Sequence, residues 1–554
     1  MNTLASPAIN WSALLPLLIV AGGGVLGVLF EAFVPRKSRR MAQISLSVLV
    51  LAGAIIAIAA RWSVLLSSKQ ALVVAVDTVT RQSPMGGLLG SGFVEDGFAL
   101  GFQTLILIFA LLSILVMADR TQTREGAFVA NAATQPGSYE ERLATEAGIE
   151  QTEIFPLALF ATAGMMAFTS AFDTLTLFIS LEVMSLPLYV LAATARRRRA
   201  LSQEAAIKYF LLGAFSSAFF LMGAAMLYGY TGTTRLGGIA TVLAKISGEP
   251  SMKSFNMLFV LGALLLLVGL LFKVGAVPFH SWVPDTYQGA PTPVTGFMAA
   301  GVKAAAFAAI LRFVFTVNLA GLLQPEAKEV PQFAALKPVL WVIVILTILV
   351  GTVLGIVQGD VKRMLAYSSI AHAGFILIGA FAVTRMADAA AGVVFYLLAY
   401  GLASIGAFGI ATLVRERGKD GEILGEANHL KSWEGLGRTN PVLATSMAIF
   451  LLSFAGIPFT AGFIGKFQVF MAGVGSGETV LVVIAVLASA ATAFFYFRLI
   501  QLMFFRDPNP NTVVVASEGY TILVVIITAA LTVLLGVLPG PVLGLVAKAA
   551  AVLL

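Results

Sequence analysis

About fourteen mostly apolar stretches of about 20 residues run along the chain, each long enough to cross a bilayer core as a helix. They start near Trp11, Met41, Phe98, Phe155, Asp173, Glu204, Phe255, Pro293, Pro338, Val361, Ala390, Pro441, Thr479 and Thr521. In hydrocarbon each backbone N–H and C=O must be satisfied within the protein, so this pattern predicts an all-α polytopic membrane protein. The 554 residues are 59% hydrophobic and only 11% charged, and no polar block is long enough to build a soluble domain. The first stretch is too long for a signal peptide and lacks a cleavage site, so it is expected to stay as a helix.

Composition removes several kinds of chemistry. There is no cysteine, which excludes disulfides, thiolate-held iron–sulfur clusters and cysteine nucleophiles. The three histidines, His280, His372 and His429, are scattered and make a multi-histidine metal site a poor reading. The net charge of +7 does not point to nucleic acid, because the basic residues gather in loops on one side of the spans. By loop count that side holds about 19 Lys/Arg against about 9 on the other, which predicts both termini outside and an even number of spans. The loop 119–153 is polar and acidic and reads as a solvated insertion without chemistry.

Ionisable residues inside the spans carry the functional signal, since each costs about 2.5–3.5 kcal/mol to insert. They are Glu182 in SLEVMSLPLYVL, Lys208 in AAIKYFLL, Lys273 in LFKVGAVPFHSW, Lys303 in AAGVKAAAF and Lys466 in GFIGKFQVF. Lys208 lies near a span end beside Glu204, where snorkelling or a local ion pair explains it as well. Lys273 and Lys303 are flanked by apolar residues and have Glu182 as the one obvious buried counter-ion. The proton affinity of a buried ammonium depends on its desolvation and on how close a carboxylate stands, so such lysines can carry protons. His372, with an ordinary pKa of about 6.5, is a plausible intermediate, and His280 a weaker one.

Two distant segments, LFKVGAVPFHSW and LLSFAGIPFTAG, share a proline inside an apolar run, Pro278 and Pro458, each near a lysine. Breaks at corresponding places in two halves point to a membrane protein built from internal repeats. A proline there frees a carbonyl that water or a neighbour must satisfy, and Lys273, about one turn earlier, could reach it or the waters bound there.

From about Phe155 to Phe505 the sequence resembles the antiporter-like proton-pumping subunits of respiratory complex I. The resemblance is carried by SLEVMSLPLYVL, AAIKYFLLGAFSSAFF, FKVGAVPFHSWVPDTYQGAPTPVTGF, DVKRMLAYSSIAHAG and NPVLATSMAIFLLSFAGIPFTAGFIGKF. PDTYQGAPTPV is similar to the N-type branch, equivalent to mitochondrial subunit 2, rather than the L or M types.

The resemblance implies about fourteen helices with two inverted five-helix repeats, each containing a broken helix. The expected layout is a three-helix segment 1–118, the polar loop 119–153, repeats at 154–317 and 338–505, and a C-terminal helix in 519–554. It also implies a central relay of Glu182, Lys208, Lys273, Lys303, Lys466 and His372, in a redox-silent subunit of NADH–quinone oxidoreductase in the bacterial cell membrane. FMN, iron–sulfur clusters and quinone are then expected in partner subunits, with none in this chain. The implied neighbours are an M-type antiporter-like subunit, the small K- and J-type subunits and the lipid bilayer. A cation/proton antiporter subunit, a complex I-like hydrogenase subunit and a charged scaffold remain as alternatives. Loops 61–95 and 119–153 are longer than that pattern.

Overall fold

Helices and their caps set the element order in the computed structural model, which describes residues 10–68, 92–248, 257–322 and 335–550, apart from 123–124, 131–133, 136–137, 148, 150, 387 and 421. The first half contains α1 (Trp11–Phe33), α2 (Arg36–Ser68), α3 (Gly97–Ala118), α4 (Tyr139–Glu146), α5 (Ile154–Ser170), α6 (Thr174–Ala192), α7 (Arg199–Thr231) and α8 (Leu236–Gly248). A broken span follows, α9 (Met257–Val274) and α10 (Trp282–Gly289), then α11 (Thr292–Phe297), which runs through a π-helical turn at Met298–Val302 into α12 (Lys303–Leu322). Next come α13 (Lys337–Ile356), α14 (Val361–Ala382), α15 (Ala389–Leu413) and a short α16 (Leu436–Thr439). A second broken span, α17 (Pro441–Ala455) and α18 (Ala461–Gly475), precedes α19 (Thr479–Phe505), α20 (Tyr520–Val537) and α21 (Gly540–Ala550).

Twelve helices among the described residues are long and apolar enough to cross a membrane. Each of the remaining two apolar sequence stretches is also helical: α5 is short, and α17–α18 is broken. Most of loop 61–95 beyond α2 lies outside the described residues.

Polar side chains start several spans. Asp96, Asp173, Asp360 and Asn440 accept hydrogen bonds from the first-turn amides Ala99 (2.7 Å), Leu175 (2.8 Å), Arg363 (2.9 Å) and Leu443 (3.2 Å). These caps satisfy donors that the helix cannot. One end of the molecule carries a small antiparallel sheet of order β2-β1-β3, made of β1 (Val414–Arg417), β2 (Ile423–Glu426) and β3 (Thr512–Val514). Arg415 lies opposite Glu426 and Val513 in it. Bridges Thr121–Ser517, Phe128–Ala195 and Asp360–His429 join loops, with Phe93–Ala171 and Asp173–Arg235 tying others. The 119–153 loop is therefore not simply a solvated insertion. Phe128, Val129 and Ala130 are buried in it, and Glu125 stands 3.1 Å from Arg197. Its apolar residues and one carboxylate found partners that the local composition could not announce.

The α11–α12 span is buried throughout, and α14 and α15 nearly so, whereas α1 and α7 present broad apolar faces outward. Small residues allow close helix approach in the interior. At Gly223 a Cβ would stand 2.6 Å from Gly262 O of α9 and closer still to Leu266 N. Gly223→Ala is expected to force α7 and α9 apart and cost about 1–3 kcal/mol, read as a lower thermal midpoint of the purified complex.

Candidate functional site

The first break places Lys273 at the end of α9, where its side chain is buried. Its Nζ stands 3.5 Å from the Tyr189 hydroxyl and 5.4–5.5 Å from the ring centres of Tyr189, Tyr209 and Phe272. This is an aromatic enclosure, where ring faces offset part of the cost of a buried cation. Lys273 Nζ makes no hydrogen bond to a carbonyl of the break; its one hydrogen-bond contact among the described residues is the Tyr189 hydroxyl. Trp282 Nε1, at the start of α10, donates to Phe272 O at 3.0 Å, and Thr347 Oγ1 of α13 accepts from Val277 N at 2.9 Å. The Phe272 carbonyl and the Val277 amide at the break are thus bonded by groups other than the lysine.

Glu182 also differs from its expected part. Its carboxylate is half-buried and accepts from Ser217 Oγ at 2.5 Å, and no lysine lies within 4.0 Å of it among the described residues. Its charge still reaches Lys273 through space.

Lys303 follows the π-helical turn directly, an irregularity of the sort that re-aims a side chain. Its Nζ donates to Ser369 O at 2.6 Å and to Ser369 Oγ at 2.5 Å, and lies 4.8 Å from the ring centre of Tyr400. Glu182 is not its counter-ion; a carbonyl, a hydroxyl and a ring face hold the charge instead.

Three residues further along α14 than Ser369 is His372, on the same helix face. Its Nδ1 lies 2.8 Å from Tyr396 Oη and its Nε2 3.2 Å from Tyr496 Oη, and Tyr496 Oη also bonds Ser368 Oγ. The Tyr400 and Phe454 ring centres are 5.1 and 5.5 Å from the imidazole. Tyr400 therefore stands between Lys303 and His372.

At the second break Lys466 takes the role expected of Lys273. Its Nζ donates to Phe454 O at 2.8 Å, Ala455 O at 3.0 Å and Ser489 Oγ at 2.7 Å. A cation at the C-terminal end of α17 satisfies orphan carbonyls and matches the helix dipole. Lys303, His372 and Lys466 are thus brought together through Tyr400 and Phe454. Lys273 joins the row less directly, through Tyr209, which stacks on Trp282 at 4.6 Å, and through Tyr287 beyond it. The buried hydroxyls Tyr209 Oη and Thr286 Oγ1 in this stretch have no hydrogen-bond partner.

Lys208 lies apart from the buried lysines. It is partly exposed and pairs with Glu204 at 2.6 Å and Asp285 at 2.7 Å. Asp285 in turn pairs with Arg363 at 2.7 Å, so the PDTYQ motif links α7 to α14. His280 is half-buried with Nδ1 unpartnered, and His429 is exposed.

Sequence reasoning missed the tyrosines and serines of the row, which look like ordinary span residues. It also missed Lys362, whose Nζ bonds Glu426 Oε2 at 2.7 Å and Thr292 Oγ1 at 2.9 Å. Burial pushes the Glu426 carboxyl up, but Lys362, Thr292 and Arg415 outweigh it and hold the carboxyl below its ordinary value. Arg312, within the run AAILRFVF, was a visible signal that went unused: a cation in a wholly apolar span demands a partner.

Comparison with known proteins places this geometry. Residues 171–492 match the family model described as NADH:quinone oxidoreductase/Mrp antiporter, transmembrane. The chain is 51% identical to NADH-quinone oxidoreductase subunit N of Beutenbergia cavernae, covering 98% of each chain. It is 48% identical to the subunit N of Thermobifida fusca, covering 98% of this chain and 92% of that one. Among solved structures, a chain of respiratory complex I from Thermus thermophilus with bound aureothin is 31% identical, with a TM-score of 0.70 and coverage of 96% and 99%. A chain of the Mrp complex from Dietzia sp. shares the fold, with a TM-score of 0.75 at 20% identity and coverage of 98% and 97%. The chain belongs to the NADH:quinone oxidoreductase/Mrp antiporter transmembrane family and, within it, to the subunit N group of NADH–quinone oxidoreductases.

Proposed function

We propose that this chain conducts protons along the row Glu182, Lys273, Lys303, His372 and Lys466, as a redox-silent membrane subunit of NADH–quinone oxidoreductase. One observation carries the reading: three buried lysines stand in a line of tyrosine, serine and histidine side chains with no carboxylate in ion-pair contact among the described residues. A structural ion pair would put a carboxylate against each ammonium. A lysine held by hydroxyls, carbonyls and ring faces can give up its proton when the field around it changes, and a neighbouring imidazole can accept it.

Lys208, expected in the relay, pairs with Glu204 and Asp285 apart from this row and is given no place in it. The unpartnered hydroxyls of Tyr209 and Thr286 mark the stretch where hydration links Lys273 to Lys303. Electron transfer belongs to partner subunits holding FMN, iron–sulfur clusters and quinone. The broken helices α9–α10 and α17–α18 are corresponding elements of two inverted repeats, 154–317 and 338–505. Charge asymmetry favours both termini outside. The neighbours are an M-type antiporter-like subunit and the small K- and J-type subunits.

The test uses the complex purified from native membranes, its partners identified by mass spectrometry, with Lys273→Ala and Glu182→Ala variants reconstituted in vesicles. Normal assembly and lost proton pumping support the relay. Lost assembly supports a scaffold role instead. Absence of flavin and iron–sulfur subunits turns the reading toward a cation/proton antiporter, which would use the same lysines.

A further inference from the structure

At the end that carries the sheet, a cavity is bounded by Arg196, Arg197 and Arg198 of the turn before α7, by Lys362 of α14 and by Arg415 of β1. Gly289, Ala290, Pro291 and Gly425 also line it. None of these groups belongs to the proton row.

The charges around the cavity do not balance. Glu426 is the acidic residue in its wall, and it is committed to Lys362 and Thr292. Just outside, Glu125 faces Arg197 at 3.1 Å and Arg196 at 3.9 Å, and Glu416 lies 3.7 Å from Arg198. Among the described residues, five cations stand against these three carboxylates.

Arg415 carries most of that imbalance. Only 6% exposed, it donates from Nε to Thr412 O at 3.3 Å, and its terminal amino groups have no hydrogen-bond or ion-pair partner among the described residues. A guanidinium buried in this state is costly unless something pairs with it. Burial lowers its proton affinity, and Arg197 and Arg196 add to the effect against the pull of Glu426. Arg197 Nε is likewise buried without a partner. Arg198 adopts a left-handed backbone, φ 58°, and begins α7 with no side-chain cap, so the positive end of a 33-residue helix opens at the same rim.

We infer that this cavity binds a phosphate-class anion, either a free oxyanion or the headgroup phosphate of an anionic lipid. Forked guanidinium donors from two elements and a lysine ammonium suit a tetrahedral oxyanion, and Arg415 gains the partner that it lacks. The occupant would also pin the turn before α7 to the sheet.

The experiment uses the intact purified complex and two probes, 32P-labelled inorganic phosphate in equilibrium binding and mass spectrometry of phospholipid retained after detergent exchange. Wild-type complex is expected to show one saturable phosphate site, or one retained phospholipid, per copy of this chain. Arg415→Gln is expected to weaken that binding by about tenfold or more, the loss of a charge-assisted hydrogen bond. Arg198→Gln, at an exposed position, should weaken it several-fold in complex whose assembly a native gel confirms, whereas Arg438→Gln, paired with Asp507 away from the cavity, should not. Phosphate uptake displaced by sulfate identifies a free oxyanion, and retained lipid lost in the variants identifies a headgroup. The inference is overturned if wild-type complex neither takes up phosphate nor retains lipid. Binding unchanged in Arg198→Gln also overturns it, and that variant decides alone if Arg415→Gln fails to assemble.

Discussion

Lys303→Ala is expected, on the proposed relay, to leave the complex assembled and to lower its proton translocation by at least about tenfold, a conservative figure for losing one positioned acid–base group. The expectation rests on where the ammonium sits. Lys303 Nζ bonds both Ser369 O and Ser369 Oγ and lies 4.8 Å from the ring centre of Tyr400, which is itself 5.1 Å from that of His372. Removing it cuts the row between Lys273 and the His372–Lys466 pair. Lys303→Arg supplies the decisive control. Arginine keeps the charge and can still donate to Ser369, but it does not release a proton at any ordinary pH. A relay therefore fails with arginine as it does with alanine, whereas a lysine that only holds helices together is replaced by arginine with activity retained. The measurement is quenching of a pH-sensitive dye in vesicles containing the complex, beside quinone reduction in the same sample and a native gel for assembly.

The span pattern was legible because twenty apolar residues in a row have few alternatives in lipid, and each predicted stretch is helical. Pro278 and Pro458 announced the two breaks for the same reason. What fills each break was not legible. Trp282 caps one and Lys466 the other, a difference set by which side chain the return of the chain brings within 3 Å of the free carbonyls. The lysines stood out as charges in apolar surroundings. Tyr189, Tyr396, Tyr400 and Tyr496 did not, since tyrosine is ordinary in a span and its contacts here depend on partners tens of residues away. In the sequence Glu182 is the one obvious carboxylate inside the spans, so it reads as the lysines' counter-ion. Its nearest polar partner is the hydroxyl of Ser217 on α7, a contact that sequence spacing cannot supply.

Asp96→Ala is expected to remove about 3–5 kcal/mol of stability, the usual effect of leaving one member of a buried ion pair unpaired. Arg312, only 1% exposed, donates from Nη1 to Asp96 Oδ2 at 2.8 Å and from Nη2 to Oδ1 at 3.0 Å. Without the carboxylate it keeps one hydrogen bond, Nε to Thr169 O at 3.2 Å, and the Phe98 and Phe172 rings 4.9 and 5.9 Å away. The same substitution removes the N-cap of α3, which adds about 0.5–2 kcal/mol. Together these approach the whole stability of a typical folded domain, about 5–15 kcal/mol. The expected readout is a complex that is scarce on native gels and melts at lower temperature. Asp96→Asn should recover the cap and part of the loss. The double variant Asp96→Ala with Arg312→Leu separates the two causes: with no charge left to bury, it should be more stable than Asp96→Ala alone, and its remaining deficit measures the cap. If the double variant is no better than the single one, the loss comes from the start of α3 and not from the stranded guanidinium.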